Sequence, residues 1–95
     1  MTERIARRLV IAGRVQGVGY RDWLVAEARA AGLAGWVRNR DDGTVEALIA
    51  GPTSALDAIQ TCCGRGPRFA SVDYVAAEEA EAADAPSPFA RRPTD

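Results

Sequence analysis

GWVRNRDDGTVEALIA, Gly35 to Ala50, is the stretch on which the fold turns. Two runs of strand-like composition, Gly35 to Arg40 and Thr44 to Ala50, flank the tripeptide Asp41-Asp42-Gly43. That tripeptide matches a three-residue hairpin loop with glycine at its left-handed position, so the two runs are expected to pair antiparallel. What lies on either side decides how the hairpin is covered.

Toward the N-terminus, DWLVAEARAA, Asp22 to Ala31, is rich in helix formers and stops at Gly32. Leu24, Val25, Ala28 and Ala31 share a face at helical spacing, and their mostly small side chains let a helix lie close to a sheet. Glu27 and Arg29 lie outside that stripe. Before the helix, RLVIAG, Arg8 to Gly13, is a short apolar run ended by glycine and reads as a buried first strand.

Toward the C-terminus, Thr53 or Ser54 is placed to cap a second helix with Leu56, Ile59 and Cys63 on one face, closing at Gly64. GRGP follows as a loop. FASVDYVAA, Phe69 to Ala77, sets Val72, Tyr74 and Ala76 against Ser71, Asp73 and Val75 and reads as a fourth strand. EEAEAADAPSP, residues 78–88, has the composition of a solvated connection, and a short fifth strand includes Phe89, with Pro86 and Pro88 confining it to an edge. The order strand, helix, strand, strand, helix, strand is the split β-α-β pattern. The chain of 95 residues is therefore expected to form one domain, residues 1–95, of the α+β class. The expected form is a ferredoxin-like βαββαβ sandwich, an antiparallel sheet with two helices on one face. Architecture of this kind implies no function by itself.

Composition narrows the chemistry. The formal charge is −1, from 12 basic and 13 acidic residues, so no global positive field gathers nucleic acid or anionic lipid, and neither is expected as a partner. No apolar run approaches the roughly 20 residues of a spanning helix, and MTERIARR leads into a strand-like stretch, not a signal-peptide core. A cytoplasmic location is expected. Cys62 and Cys63 are adjacent, a spacing that strains a mutual bridge, and read as reduced thiols. With 0 histidines the chain has no imidazole base and lacks the commonest zinc ligand, and two cysteines alone make a poor metal site, so no metal is expected, and no cofactor is expected either.

Between the first strand and the first helix runs VQGVGYR, Val15 to Arg21. A glycine-bearing turn at that place can aim successive N–H groups into one concavity, and the helix N-terminus adds partial positive charge. Gly17 and Gly19 remove side chains from the approach, and Arg21 offers a planar fork of donors suited to phosphate oxygens. Taken alone, so short a motif is more often an ordinary tight connection with a surface arginine.

Other segments add to it. GRVQGVGYR at Gly13 to Arg21, GLAGWVRN at Gly32 to Asn39 and DGTVEA at Asp42 to Ala47, with GPRFASVDYV at Gly66 to Val75, together resemble the acylphosphatase family in order and spacing. The resemblance spans about residues 8–76 and fades after Ala77. It implies the same ferredoxin-like fold and metal-free hydrolysis of a small-molecule acyl phosphate to a carboxylate and inorganic phosphate, the latter a product and an inhibitor. It further implies that Arg21 binds the substrate phosphate together with the N–H groups of Val15, Gln16, Gly17, Val18, Gly19 and Tyr20. Asn39 matches the asparagine that orients the attacking water. Tyr20 stands in place of the usual phenylalanine, and Arg40 where many relatives carry a small hydroxyl residue.

The chemistry suits so spare a set of residues. An acyl phosphate releases a carboxylate, which needs no strong general acid, and phosphoryl transfer is largely positioning and charge stabilisation. Val15 occupies the place that a nucleophilic cysteine holds in C-x5-R phosphatases, so a phosphoenzyme is not expected. Two rival readings remain. An RNA-binding sheet wants aromatics on its central strands, which TVEALIA lacks. A noncatalytic phosphate- or anion-binding or protein-interaction domain would keep the loop without turnover. Trp23 and Trp36 read as packing residues, and Arg65 and Arg68 as solvated charge.

Overall fold

At the tip of the hairpin the Arg40 N–H donates to the Thr44 carbonyl at 2.9 Å and the Gly43 N–H to the Arg40 carbonyl at 3.1 Å. Gly43 takes φ 91°, the left-handed conformation expected of it. Asp42 Oδ1 accepts from both the Thr44 N–H and its hydroxyl, at 2.9 and 2.6 Å, which fixes the turn. The computed structural model describes residues 5 to 94. Residues 1–4, which open the MTERIARR stretch, lie outside the described residues, as does residue 95 of the expected domain.

The elements are β1 (Ile5–Arg14), α1 (Tyr20–Ala30), β2 (Ala34–Asn39), β3 (Val45–Gly51), α2 (Thr53–Arg65), β4 (Ser71–Ala80), a short 3-10 turn (Ala82–Asp84) and β5 (Ala90–Arg91). They form one sheet in the order β4-β1-β3-β2-β5. The four main strands pair antiparallel, as expected of the ferredoxin-like fold. The two-residue β5 joins parallel to β2, with Trp36 opposite Ala90 and Val37 opposite Arg91, making the sheet mixed.

Both helices lie on one face. Leu24 and Ala28 of α1 and Leu56, Ile59 and Cys63 of α2 pack with Leu9, Ile11, Val37, Val45, Ala47 and Ile49 of the sheet into the main core, closed by Phe89. Phe89 is fully buried, and burial of such a ring contributes about 1.5–3 kcal/mol. Ala31 of the expected stripe is exposed. The α1 helix closes before it through the Leu33 N–H donating to the Ala28 carbonyl at 2.9 Å, and Leu33 takes the core position.

Expectations for α2 and β4 are corrected as well. Neither Thr53 nor Ser54 caps α2: Pro52 holds the cap position in extended conformation, its carbonyl accepting from the Ala55 and Leu56 N–H groups at 3.0 and 3.1 Å. The helix also runs past Gly64, ending where the Gly66 N–H meets the Cys62 carbonyl at 2.9 Å. In β4 the alternation breaks, because the register against β1 jumps from Ala12–Tyr74 to Gly13–Val72 and leaves Asp73 as an extra residue. This bulge turns Val72 and Val75 toward the same core and leaves Tyr74 exposed.

The acidic, alanine-rich segment is no mere connection. Glu78, Glu79 and Ala80 belong to β4, and the chain then crosses the helix-free face of the sheet. Ala80, Ala82 and Ala85 there cover Ala6, Ala34, Trp36, Leu48 and Ala50. Small side chains let backbone lie close to the sheet, and the Gly35 N–H donates to the Pro86 carbonyl at 2.8 Å. On the same face Glu46, only 3% exposed, accepts hydrogen bonds from Arg8 and, at 2.8 Å, from Arg38. Burial raises its carboxyl pKa, but the bonds from Arg38 and Arg8 outweigh burial and hold it below the usual carboxylate range.

Candidate active site

The end of β1, the start of α1 and the end of β2 converge on a pocket of about 140 Å³ lined by Val15, Gly17, Gly19, Tyr20, Arg21, Asp22, Asn39 and Arg91. It is small against the roughly 300–1,000 Å³ of a site that encloses a drug-sized ligand. A group of phosphoryl size fits inside, and anything attached to it projects out of the mouth.

The loop is shaped by Gly17 and Gly19, at φ 73° and 81°, with nothing within 4 Å of where a Cβ would stand. Strain, not crowding, excludes other residues there. Among the described residues no side chain caps α1, and no N–H from Gln16 to Asp22 donates to a backbone carbonyl. The last of these are the donors that a helix start leaves over and the earlier ones belong to the loop itself; together they make it an acceptor-seeking surface.

The remaining loop side chains hold it in place. Val15 is 1% exposed and anchored in the core, and Val18 packs against that core. Gln16 turns its side chain away from the pocket, donating from Nε2 to the Arg40 and Thr44 carbonyls at 2.8 and 2.9 Å. One side chain thereby joins the loop to the hairpin that carries Asn39. The Tyr20 hydroxyl finds its partner in the Cys63 carbonyl, at 2.7 Å, and the Tyr20 ring meets Trp23 edge-on at 5.2 Å. Burial, and then the neighbouring Cys63, keeps the Tyr20 phenol protonated far above the usual range.

Two residues bring charge and polarity into the pocket. The guanidinium of Arg21 lies at its wall, with Nη1 3.5 Å from the Arg92 carbonyl. Asn39, the last residue of β2, has a buried Oδ1 with no hydrogen-bond partner among the described residues. A buried acceptor left unpaired costs about 1–3 kcal/mol, so its survival at a pocket wall asks for an explanation outside packing. Arg40 does not line the pocket; its Nε lies 3.8 Å from Asp42 Oδ2.

Sequence reasoning missed Asp22 and Arg91. Arg91 Nη1 is 2.8 Å from Asp22 Oδ1 at the mouth. No local pattern announces Arg91, because only the parallel pairing of β5 brings it to β2. The thiols stand apart: neither lines the pocket, and burial above all pushes the Cys63 thiol up to about 11, while Tyr20 lowers it and Cys62 raises it. Trp36 packs on the far face with the Arg38 and Arg92 guanidiniums 4.8 and 4.9 Å from the centre of its ring. Arg68 lies over the exposed ring of Phe69. No helix among the described residues is long and apolar enough to cross a membrane.

Fold and pocket together define a protein of the α+β class with a loop fit for an oxyanion between its first strand and helix. A family model described as acylphosphatase matches residues 7–90. The acylphosphatase of Acidiphilium cryptum is 50% identical over 90 residues, covering 95% of this chain and 98% of the relative, and that of Rhizobium meliloti is 52% identical over 87 residues, covering 92% of each. The acylphosphatase structure from Bacillus subtilis superposes with a TM-score of 0.88 at 38% identity, over 93% of this chain and 98% of that one. The structure from Coxiella burnetii gives 0.88 at 30% identity, over 94% and 93%. The chain belongs to the acylphosphatase family, and its activity is the hydrolysis of a small-molecule acyl phosphate.

Proposed function

We propose that hydrolysis proceeds by direct attack of water on phosphorus, without metal or cofactor, in the pocket between the Val15–Arg21 loop and Asn39. The N–H groups of Val15, Gln16, Gly17, Val18, Gly19 and Tyr20, with the Arg21 guanidinium, hold the phosphoryl oxygens. The Asn39 carboxamide orients the water. As its oxygen bonds to phosphorus, the P–O bond to the acyl group breaks and the electron pair leaves on the carboxylate. The proton of the water passes to a phosphoryl oxygen, which accounts for every atom without a protein base.

The observation that carries this reading is the unpartnered Asn39 Oδ1 at the wall of the pocket that Arg21 also lines. The leaving carboxylate has a conjugate acid of pKa about 4, so it departs unprotonated at neutral pH and requires no acid from the chain. Donors fixed before the reaction stabilise charge as it spreads over the equatorial oxygens, which is the main demand of such a transfer. Arg40 lies against Asp42 and outside the pocket lining, so it leaves room beside Asn39 for a water, which favours turnover over a noncatalytic anion-binding role. The proposal further takes residues 1–95 as one working unit, inorganic phosphate as a competitive inhibitor, and the cytoplasm as its location, with neither nucleic acid nor membrane as partner.

The test is hydrolysis of benzoyl phosphate in heavy-oxygen water with a chelator present. Turnover should persist and the label should appear in phosphate. Label in benzoate would show attack at the carbonyl carbon and overturn the mechanism.

A further inference from the structure

Arg91 is the pocket-lining residue that falls beyond the region the family model matches, which ends at residue 90. Its place follows from strand geometry. It pairs with Val37, two positions before Asn39 on β2, and alternation along β2 puts Val37 and Asn39 on the same side. Arg91 therefore faces the helices and the pocket, whereas Arg92 turns to the other face and stacks on Trp36 at 4.9 Å. The end of the chain thus delivers one guanidinium to the site.

We infer that Arg91 is a second substrate-binding cation, meeting phosphoryl oxygens at the mouth of the pocket, and that Asp22 is the counter-charge against which the substrate competes for it. The inference rests on the phosphate reading of this pocket. Its pair with Asp22, at 2.8 Å, joins side chains that are 48% and 74% exposed. An exposed pair of this kind is weakly held, while a phosphate dianion offers a guanidinium more charge and a bidentate geometry. The loop and Arg21 supply donors from β1 and α1, and Arg91 supplies them from the β5 side, so charge spreading over several equatorial oxygens meets donors on more than one side. Asp22 adds a negative charge at the same mouth, which opposes an incoming phosphate unless Arg91 balances it.

A tie that merely fastens the chain end to α1 would make Arg91→Gln and Asp22→Asn behave alike, since both break the same pair. The inference requires opposite signs. Inorganic phosphate affinity, read by calorimetry and by inhibition of benzoyl phosphate hydrolysis, should weaken about fivefold in Arg91→Gln, with KM rising more than kcat falls. In Asp22→Asn it should tighten about twofold. Arg91→Lys should recover most of the loss, because a point charge at an open mouth replaces much of a fork. Wild-type phosphate affinity in Arg91→Gln, or equal weakening in both variants, overturns the inference and leaves the mechanism standing. A wild-type protein that neither hydrolyses benzoyl phosphate nor binds phosphate overturns both.

Discussion

The hydroxyl of Tyr20, at the first position of α1, donates a 2.7 Å hydrogen bond to the carbonyl of Cys63 in the last turn of α2. Carbonyls at a helix end have no partner within the helix, so the phenol satisfies a buried acceptor that would otherwise stand alone. It also pins the start of the helix that follows the Val15–Arg21 loop to its neighbour. Tyr20→Phe should cost about 1 kcal/mol, and thermal unfolding should show a Tm lower by about 4–8 °C, as expected for a chain of this size. An unchanged Tm would show that the bond contributes nothing net.

Asn39→Ala separates stability from activity. The variant loses an unpartnered buried oxygen and no hydrogen bond that holds the fold, so its Tm should equal or exceed that of the wild type. Its kcat should fall about 100-fold, the scale on which a positioned polar group acts. A Tm drop of several degrees, or near-normal turnover in the folded variant, would contradict the role given to the carboxamide.

Arg21→Lys should fail where Arg91→Lys succeeds. At the wall of a pocket of about 140 Å³ the fork of a guanidinium can meet two oxygens at once, and an ammonium reaches them only as a point charge. Phosphate inhibition constants should rise about 10-fold or more, with kcat/KM falling by at least as much. Equal phosphate inhibition in both proteins would remove Arg21 from the site.

Glu46 should set part of the acid limb of stability. Its folded pKa lies below the ordinary carboxylate value, so its contribution is present above about pH 4.3 and is lost as pH falls through the lower folded value. Glu46→Gln leaves Arg8 and Arg38 facing a neutral amide and should cost about 1–3 kcal/mol at pH 7. Urea titrations from pH 7 to pH 3 should show the gap between the two proteins closing at the acid end. A gap that stays constant would mean that the carboxylate is not depressed.

The sequence made local features legible and hid distant ones. The Asp41-Asp42-Gly43 turn, the Val15–Arg21 loop and the helix faces around Leu24 and Leu56 are each specified within a few neighbouring residues. The bulge at Asp73 depends on how β4 meets β1, and no alternation count within β4 reveals it. Ala80, Ala82 and Ala85 look solvated because the composition around them is that of a linker; they are partly buried because the far face of the sheet carries Trp36 and Leu48. Arg91 reaches the pocket only through pairing with a strand more than 50 positions earlier, so its role could be seen only in three dimensions.

The bulged edge strand has a consequence for how these molecules tolerate crowding. β4 exposes an outer row of N–H and C=O groups along ten residues, an invitation to recruit another copy into a growing sheet. Asp73 interrupts that row, and Glu79, beside a Glu78 that is paired with Arg8 at 2.8 Å, adds a carboxylate near its far end, so two such edges approaching head to tail bring acid against acid. The opposite edge, β5, is only two residues long. Self-association into fibrils is thereby discouraged at both borders, on one by mutual repulsion and on the other by sheer brevity.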